Sequence, residues 1–180
     1  MLDARLERRS RAWLLAAGTG LLLAACASIR IGEERDAYFG KQLSAYAFPK
    51  SCMDLWPTVL QLLGSKGYPL QGRDRAYAGQ PPESGFKSLV DQGYPTEAVE
   101  GGGLRVKTGW SDSAEGASQY VVMGTPAGAS ACAVAFTGRA RDPVDPASIV
   151  ETKDWKMQLE LLRRVDPAAA TRMEAGAPTK

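Results

Sequence analysis

The chain has 180 residues, 22 basic and 20 acidic, and 44% of them are hydrophobic, enough for one domain around one core. A net charge of +2 sets up no global field to gather nucleic acid or another polyanion. The absence of histidine removes Ser–His and Cys–His catalysis and histidine-based zinc sites. No spacing of carboxylates, lysines or tyrosines marks a catalytic set, a metal site or a cofactor site.

The first 25 residues have three parts. MLDARLERRSR carries four arginines against Asp3 and Glu7. AWLLAAGTGLLLAA is an uncharged run of 14 residues. That is shorter than the roughly 20 apolar residues a bilayer-spanning helix needs, and it fits the apolar region of a secretory signal. Small residues then lead to a cysteine, Leu23-Ala24-Ala25-Cys26. This resembles a bacterial lipobox. The resemblance implies cleavage before Cys26, acylation of its thiol and of the new amino terminus, and stable anchoring by several chains at about 0.8 kcal/mol per buried methylene. Ala27 and Ser28, with no aspartate at the second position, resemble lipoproteins sorted to the outer membrane.

Residues 1–25 are thus expected to be a signal peptide. They hold four basic and two acidic residues, which leaves 18 of each. With Cys26 acylated, Cys52 and Cys132 remain. In an oxidising compartment an even pair is a candidate disulfide. Two separate buried thiols are the alternative, and geometry decides between them.

Residues 26–42 are polar and read as a lipidated tether. A single body is expected over 43–175, with a frayed tail at 176–180. A short strand is predicted in LSAYAF. In DLWPTVLQLLGSKG, Trp56, Val59, Leu60 and Leu63 repeat at i, i+3, i+4, i+7, one apolar helix face. Asp54 can cap this helix with Pro57 in the first turn. A start at Ser51, with Asp54 three residues on as a capping box, places Pro57 further inside. Gly67 can take the left-handed position that ends the helix, and Pro69 prevents continuation.

YPLQGRDRAY reads as a strand. Residues 78–103, rich in Gly and Pro, read as a long loop or insertion with one helical turn at FKSLV. This stretch has no phosphate-cradling motif. LRVKTGW, SQYVVMGT and ASACAVAFTGRARDP read as three strands, the last two joined by a turn at Pro126-Ala127-Gly128. Cys132, Val134 and Phe136 share one face of the last. After DPVDP a helix is predicted through IVETKDWKMQLELLRRV, and Asp166-Pro167 can start a further short helix, PAAATRMEA. Trp56, Trp110 and Trp155 are expected to meet between the layers, as large aromatics do.

Three basic pairs fall at i, i+2 on predicted strands: Arg73 with Arg75, Arg105 with Lys107, and Arg139 with Arg141. That spacing puts both members of a pair on one strand face. If the strands adjoin, six cations make a basic patch on the open face of the sheet, suited to an anionic lipid or an acidic envelope partner. The competing reading is a solvated face neutralised by neighbouring acids.

The fold class is α+β, an antiparallel sheet with two amphipathic helices packed on one face, in the order β-α-β-β-β-α. The lipobox, the helix LWPTVLQLLGSKGY, the Thr108-Gly109-Trp110 motif, the hairpin and the helix LELLRRVDP together resemble helix-grip domains. These occur in the C lipoprotein of the outer-membrane β-barrel assembly machinery. The resemblance covers roughly residues 43–165 and implies a non-enzymatic accessory of a membrane complex. This chain has one such domain where that lipoprotein has two, and it lacks the long partner-binding segment. The expected function is a membrane-anchored, non-catalytic accessory or scaffold of the cell envelope that faces the periplasm. A small-ligand-binding periplasmic domain with loop 78–103 as its lid is the alternative.

Overall fold

The computed structural model describes residues 30–81, 93–113, 116–142, 144–145 and 147–179. Cys26, the signal-like segment and FKSLV lie outside these residues. Contacts divide the chain into two compact units. The described part of one is 30–38 with 177–179, and the other is Phe39–Gly176. In the first, the helix α1 (30–44) begins, its exposed Arg30 paired to Glu34 one turn on at 3.2 Å.

The last turns of α1 belong to the second unit. Phe39 (0% exposed) and Leu43 are buried there, four residues apart on one helix face. The Phe39 ring stacks on Trp155 with centroids 4.7 Å apart. The segment expected as a tether over 26–42 is helical from residue 30; at its end Phe39 is buried while Lys41 and Gln42 are exposed.

A two-residue strand β1 (Ala47–Phe48) leads to α2 (Cys52–Ser65). The earlier helix start is the correct one. Ser51 is the N-cap: its Oγ accepts the Asp54 N–H at 3.2 Å, and its hydroxyl donates to the Asp54 carboxylate at 2.6 Å. Pro57 then sits inside the helix, where it removes one backbone donor. Gly67, at φ +81°, ends α2, and Tyr68 N–H closes back onto Leu63 C=O at 3.1 Å.

YPLQGRDRAY is a loop followed by the single-turn helix α3 (Asp74–Tyr77), not a strand. Gln80 holds the loop with its side-chain amide, accepting from Leu70 N–H and donating to Tyr68 C=O. Segment 78–103 is not wholly loop either. It contains the edge strand β2 (Tyr94–Val99) and a 3-10 turn, Glu100–Gly102. Pro95 is tolerated at a sheet edge, beside a register shift between Tyr94 and Glu97.

β3 (Gly103–Lys107), β4 (Ser111–Ser113), β5 (Gly116–Pro126), β6 (Cys132–Arg141) and β7 (Ile149–Lys153) follow. Among the described residues seven strands make one antiparallel sheet, ordered β1-β6-β5-β3-β2, with β4 also on β5 and β7 also on β6. The β5–β6 hairpin is its spine, with nine paired positions from Ser118–Ala140 to Pro126–Cys132. IVETK is thus a strand, and the last long helix starts only at Trp155. This is α4 (Trp155–Val165), followed by α5 (Pro167–Ala175).

Two short gaps in the ladders are filled by particular residues, because buried backbone groups need partners. Between β3 and β4, Thr108 donates its N–H to Tyr120 C=O at 2.9 Å, and its hydroxyl accepts the Tyr120 N–H at 3.0 Å. Between β1 and β7, the start of α4 serves. Asp154 N–H donates to Phe136 C=O at 2.9 Å, and the Gln158 side-chain amide donates to Val134 C=O.

Helices α2 and α4 contact each other and pack on the same sheet face, over Leu104, Val106, Val122, Val134 and Phe136. Trp56 is the tryptophan of this interface. Its ring lies over Gly124, where a Cβ would fall 2.9 Å from Trp56 Cζ3 and 3.3 Å from Cys132 Sγ. Trp110 and Trp155 are half-buried, so the three tryptophans do not meet in one core. Trp110 carries the Arg141 guanidinium 5.2 Å from its ring centre, and Trp155 is taken by Phe39. Cys52 and Cys132 form a disulfide, with Cα atoms 5.0 Å apart, that joins the first turn of α2 to the first residue of β6.

Candidate functional site

Strand pairing sorts the six sequence-picked cations. Arg105 and Lys107 of β3 and Arg139 of β6 reach one groove on the open face of the sheet, a volume of about 360 Å³. Arg141 lies two residues beyond Arg139 and stacks on Trp110. Arg73 and Arg75 are not on the sheet, because their segment is loop and helix. Arg75 ties the loop by donating to Pro81 C=O at 2.8 Å and Leu70 C=O at 3.3 Å. Arg73 lines a separate concavity of about 180 Å³ with Trp56, Leu60, Tyr77 and the buried Asp74. There Asp74 accepts Thr96 N–H at 2.6 Å, and Trp56 indole N–H donates to Thr96 Oγ1 at 2.7 Å. These contacts hold β2 to the helices. The patch expected on the open face therefore loses Arg73 and Arg75, and of the four cations on β3 and β6 three share one groove.

Acids enter the groove from both ends. Glu97, opposite Arg105 in the β2–β3 register, forms an ion pair with it. Glu151 of β7, opposite Arg139, accepts from Arg139 Nε at 2.8 Å. Both pairs have an exposed partner, so each contributes at most about 1 kcal/mol. Lys107 has no carboxylate partner among the described residues. Its ammonium lies 5.1 Å from the Tyr94 ring centre. Burial first, and then the positive charge of Arg139, lower its pKa from the ordinary lysine value.

Arg139 is held from below. Gln119 is 0% exposed although its register parity is that of the open face. A buried amide is costly unless both ends are bonded, and here they are. Nε2 donates to Thr108 C=O at 2.7 Å, and Oε1 accepts from Arg139 Nη1 at 2.6 Å. The arginine side chain is only 18% exposed. Gly93 closes this region: its φ is +79°, and a Cβ there would fall 2.3 Å from Lys107 O and Thr108 C.

Sequence reasoning missed Gln119, Tyr94, Glu97 and Glu151. Glu97 and Glu151 sit in strands read as loop and helix, and Gln119 meets Arg139 only through pairing across the hairpin. Among the described residues no group of three or more potential ligands is set to hold a metal ion, and no helix is long and apolar enough to cross a membrane. Comparison with protein-family models, with curated proteins and with solved structures returns no match.

Proposed function

We propose that this chain is a lipid-anchored protein of the bacterial envelope, a non-catalytic accessory that works by contact with an envelope protein or with anionic lipid. The observation that carries the reading is the stretch Leu23-Ala24-Ala25-Cys26 behind a basic start and an uncharged run of 14 residues. The Cys52–Cys132 bridge supports an oxidising compartment such as the periplasm. Ala27, in place of an aspartate after the cysteine, supports the outer membrane. The α+β body, with two helices on one sheet face and an open sheet face opposite, suits a contact role.

Mass spectrometry of the protein recovered from bacterial membranes tests the anchor. The expected species begins at Cys26 and carries three acyl chains. An unmodified full-length chain in the cytosol overturns the anchor and the accessory role together. Crosslinking from membranes, with Cys26→Ser as the unanchored control, then tests whether a partner contact depends on the anchor.

A further inference from the structure

We infer that the open-face groove is a preorganised site for one compact, singly charged oxyanion of the phosphodiester class, seated on Lys107 and Arg139 beside Tyr94. The inference does not depend on the anchor, since all of these residues lie within Phe39–Gly176.

Three observations converge. First, a buried glutamine is used to fix a cation. Gln119 spends both ends of its amide linking the Thr108 carbonyl to the Arg139 guanidinium, so the arginine is held at the groove floor and not free to swing into solvent. Second, that cation lines the same groove as another of like charge, Lys107. Lys107 shares the groove with Arg105 and Arg139, its ammonium lies by the Tyr94 ring, and the two acids of the groove are paired to the arginines and not to it. Positive groups that share a partly desolvated groove repel, and an anion bound in it relieves both the repulsion and the desolvation. Third, the charge count favours a monoanion over a polyanion. Three cations against Glu97 and Glu151 leave one net positive charge in the groove. The two carboxylates at its ends repel a polyanion but admit a single anionic oxygen pair. A phosphodiester fits as such a monoanion, with two unesterified oxygens for one lysine and one arginine and with ester substituents on both sides of the phosphorus. The Tyr94 ring and Val121 offer apolar surface to the ester substituents.

Calorimetric titration of the full chain in neutral detergent tests this, with two probes. Dimethyl phosphate supplies the bare phosphodiester, and glycerophosphoglycerol supplies the soluble headgroup of an anionic phospholipid. Both are expected to bind at one site, and Lys107→Gln is expected to weaken binding about tenfold or more, the usual cost of losing a charge-assisted contact. Lys107→Arg should restore most of it. Gln119→Leu should weaken it too, by freeing Arg139. Lys107 is partly exposed, so an unchanged unfolding midpoint for Lys107→Gln separates lost binding from lost fold. Equal binding of both probes supports a site for the phosphodiester itself, whereas preference for glycerophosphoglycerol supports a lipid headgroup. Absence of binding by both, or binding unaffected by Lys107→Gln, overturns the inference.

Discussion

Tyr120 shows how much a single side chain can carry. Its ring meets Tyr68 and Phe136 edge-on, at 4.7 and 6.2 Å between centres, and its hydroxyl donates to Asp154. Burial first, then the bond to Asp154 and that carboxylate's charge, raise its pKa above the ordinary tyrosine value. A folded-state pKa above the unfolded one means that the folded chain keeps a proton the unfolded chain gives up. The associated stability is present below about pH 10 and is lost as pH rises through the raised value. Urea unfolding should therefore show a decline above about pH 10 that is shallower in Tyr120→Phe. At pH 7 that variant should lose about 1–2 kcal/mol, because Asp154 forfeits a donor. Gly124→Ala should cost about 1–3 kcal/mol by pushing a methyl into the Trp56 ring. An unchanged midpoint for Gly124→Ala would mean that the ring can slide.

At the level of elements, the helices that announce themselves by capping and periodicity were legible, and the pieces defined by pairing were not. The apolar stripe of α2 and the Asp166-Pro167 start of α5 are local signals, and both stand. The misread boundary at β7 has a physical cause. Ile149, Val150 and Thr152 favour a strand, but no Gly or Pro parts them from α4, and only Asp154 marks the change. That residue caps α4 through Oδ1, accepting from Lys156 and Met157 N–H at 2.9 and 3.1 Å. Its Oδ2 takes the Tyr120 hydroxyl. Asp154→Ala should thus cost more than an ordinary cap, about 2–3 kcal/mol, and Asp154→Asn should recover much of it in the same unfolding assay. Equal losses for the two variants would argue that the charge on Asp154, rather than its capping oxygen, matters. The groove was half legible. The i, i+2 spacing of basic residues located Arg105, Lys107 and Arg139, but neither the acidic partners of the two arginines nor the buried amide leaves a mark within its own strand.

Across the whole molecule the sulfur bridge is the covalent cross-link among the described residues. It joins positions 80 apart in sequence. In the chain-entropy treatment, closing so long a loop stabilises by about 4 kcal/mol, an upper figure because native strain and residual structure subtract from it. Cys52→Ser with Cys132→Ser should lower the urea midpoint accordingly. Reductant should do the same to the parent chain and nothing to the double variant; an equal response of both would place the effect elsewhere. The pairing was foreseeable from cysteine parity once Cys26 was set aside, but its placement was not. That placement depends on β6 running under α2, which follows from the register of the whole sheet.

The bridge also governs how the body would respond to being pulled. Its two sulfurs sit where α2 begins and where β6 begins, so tension applied from the flanking segments passes directly from residue 52 to residue 132. The residues between them, which include nearly all of α2 and all of β2, β3 and β5, are shunted out of the load path. Stretching the oxidised chain would peel α1, β1, β6, β7 and the last two helices and then stop against a covalent link, whereas the reduced chain would keep paying out length.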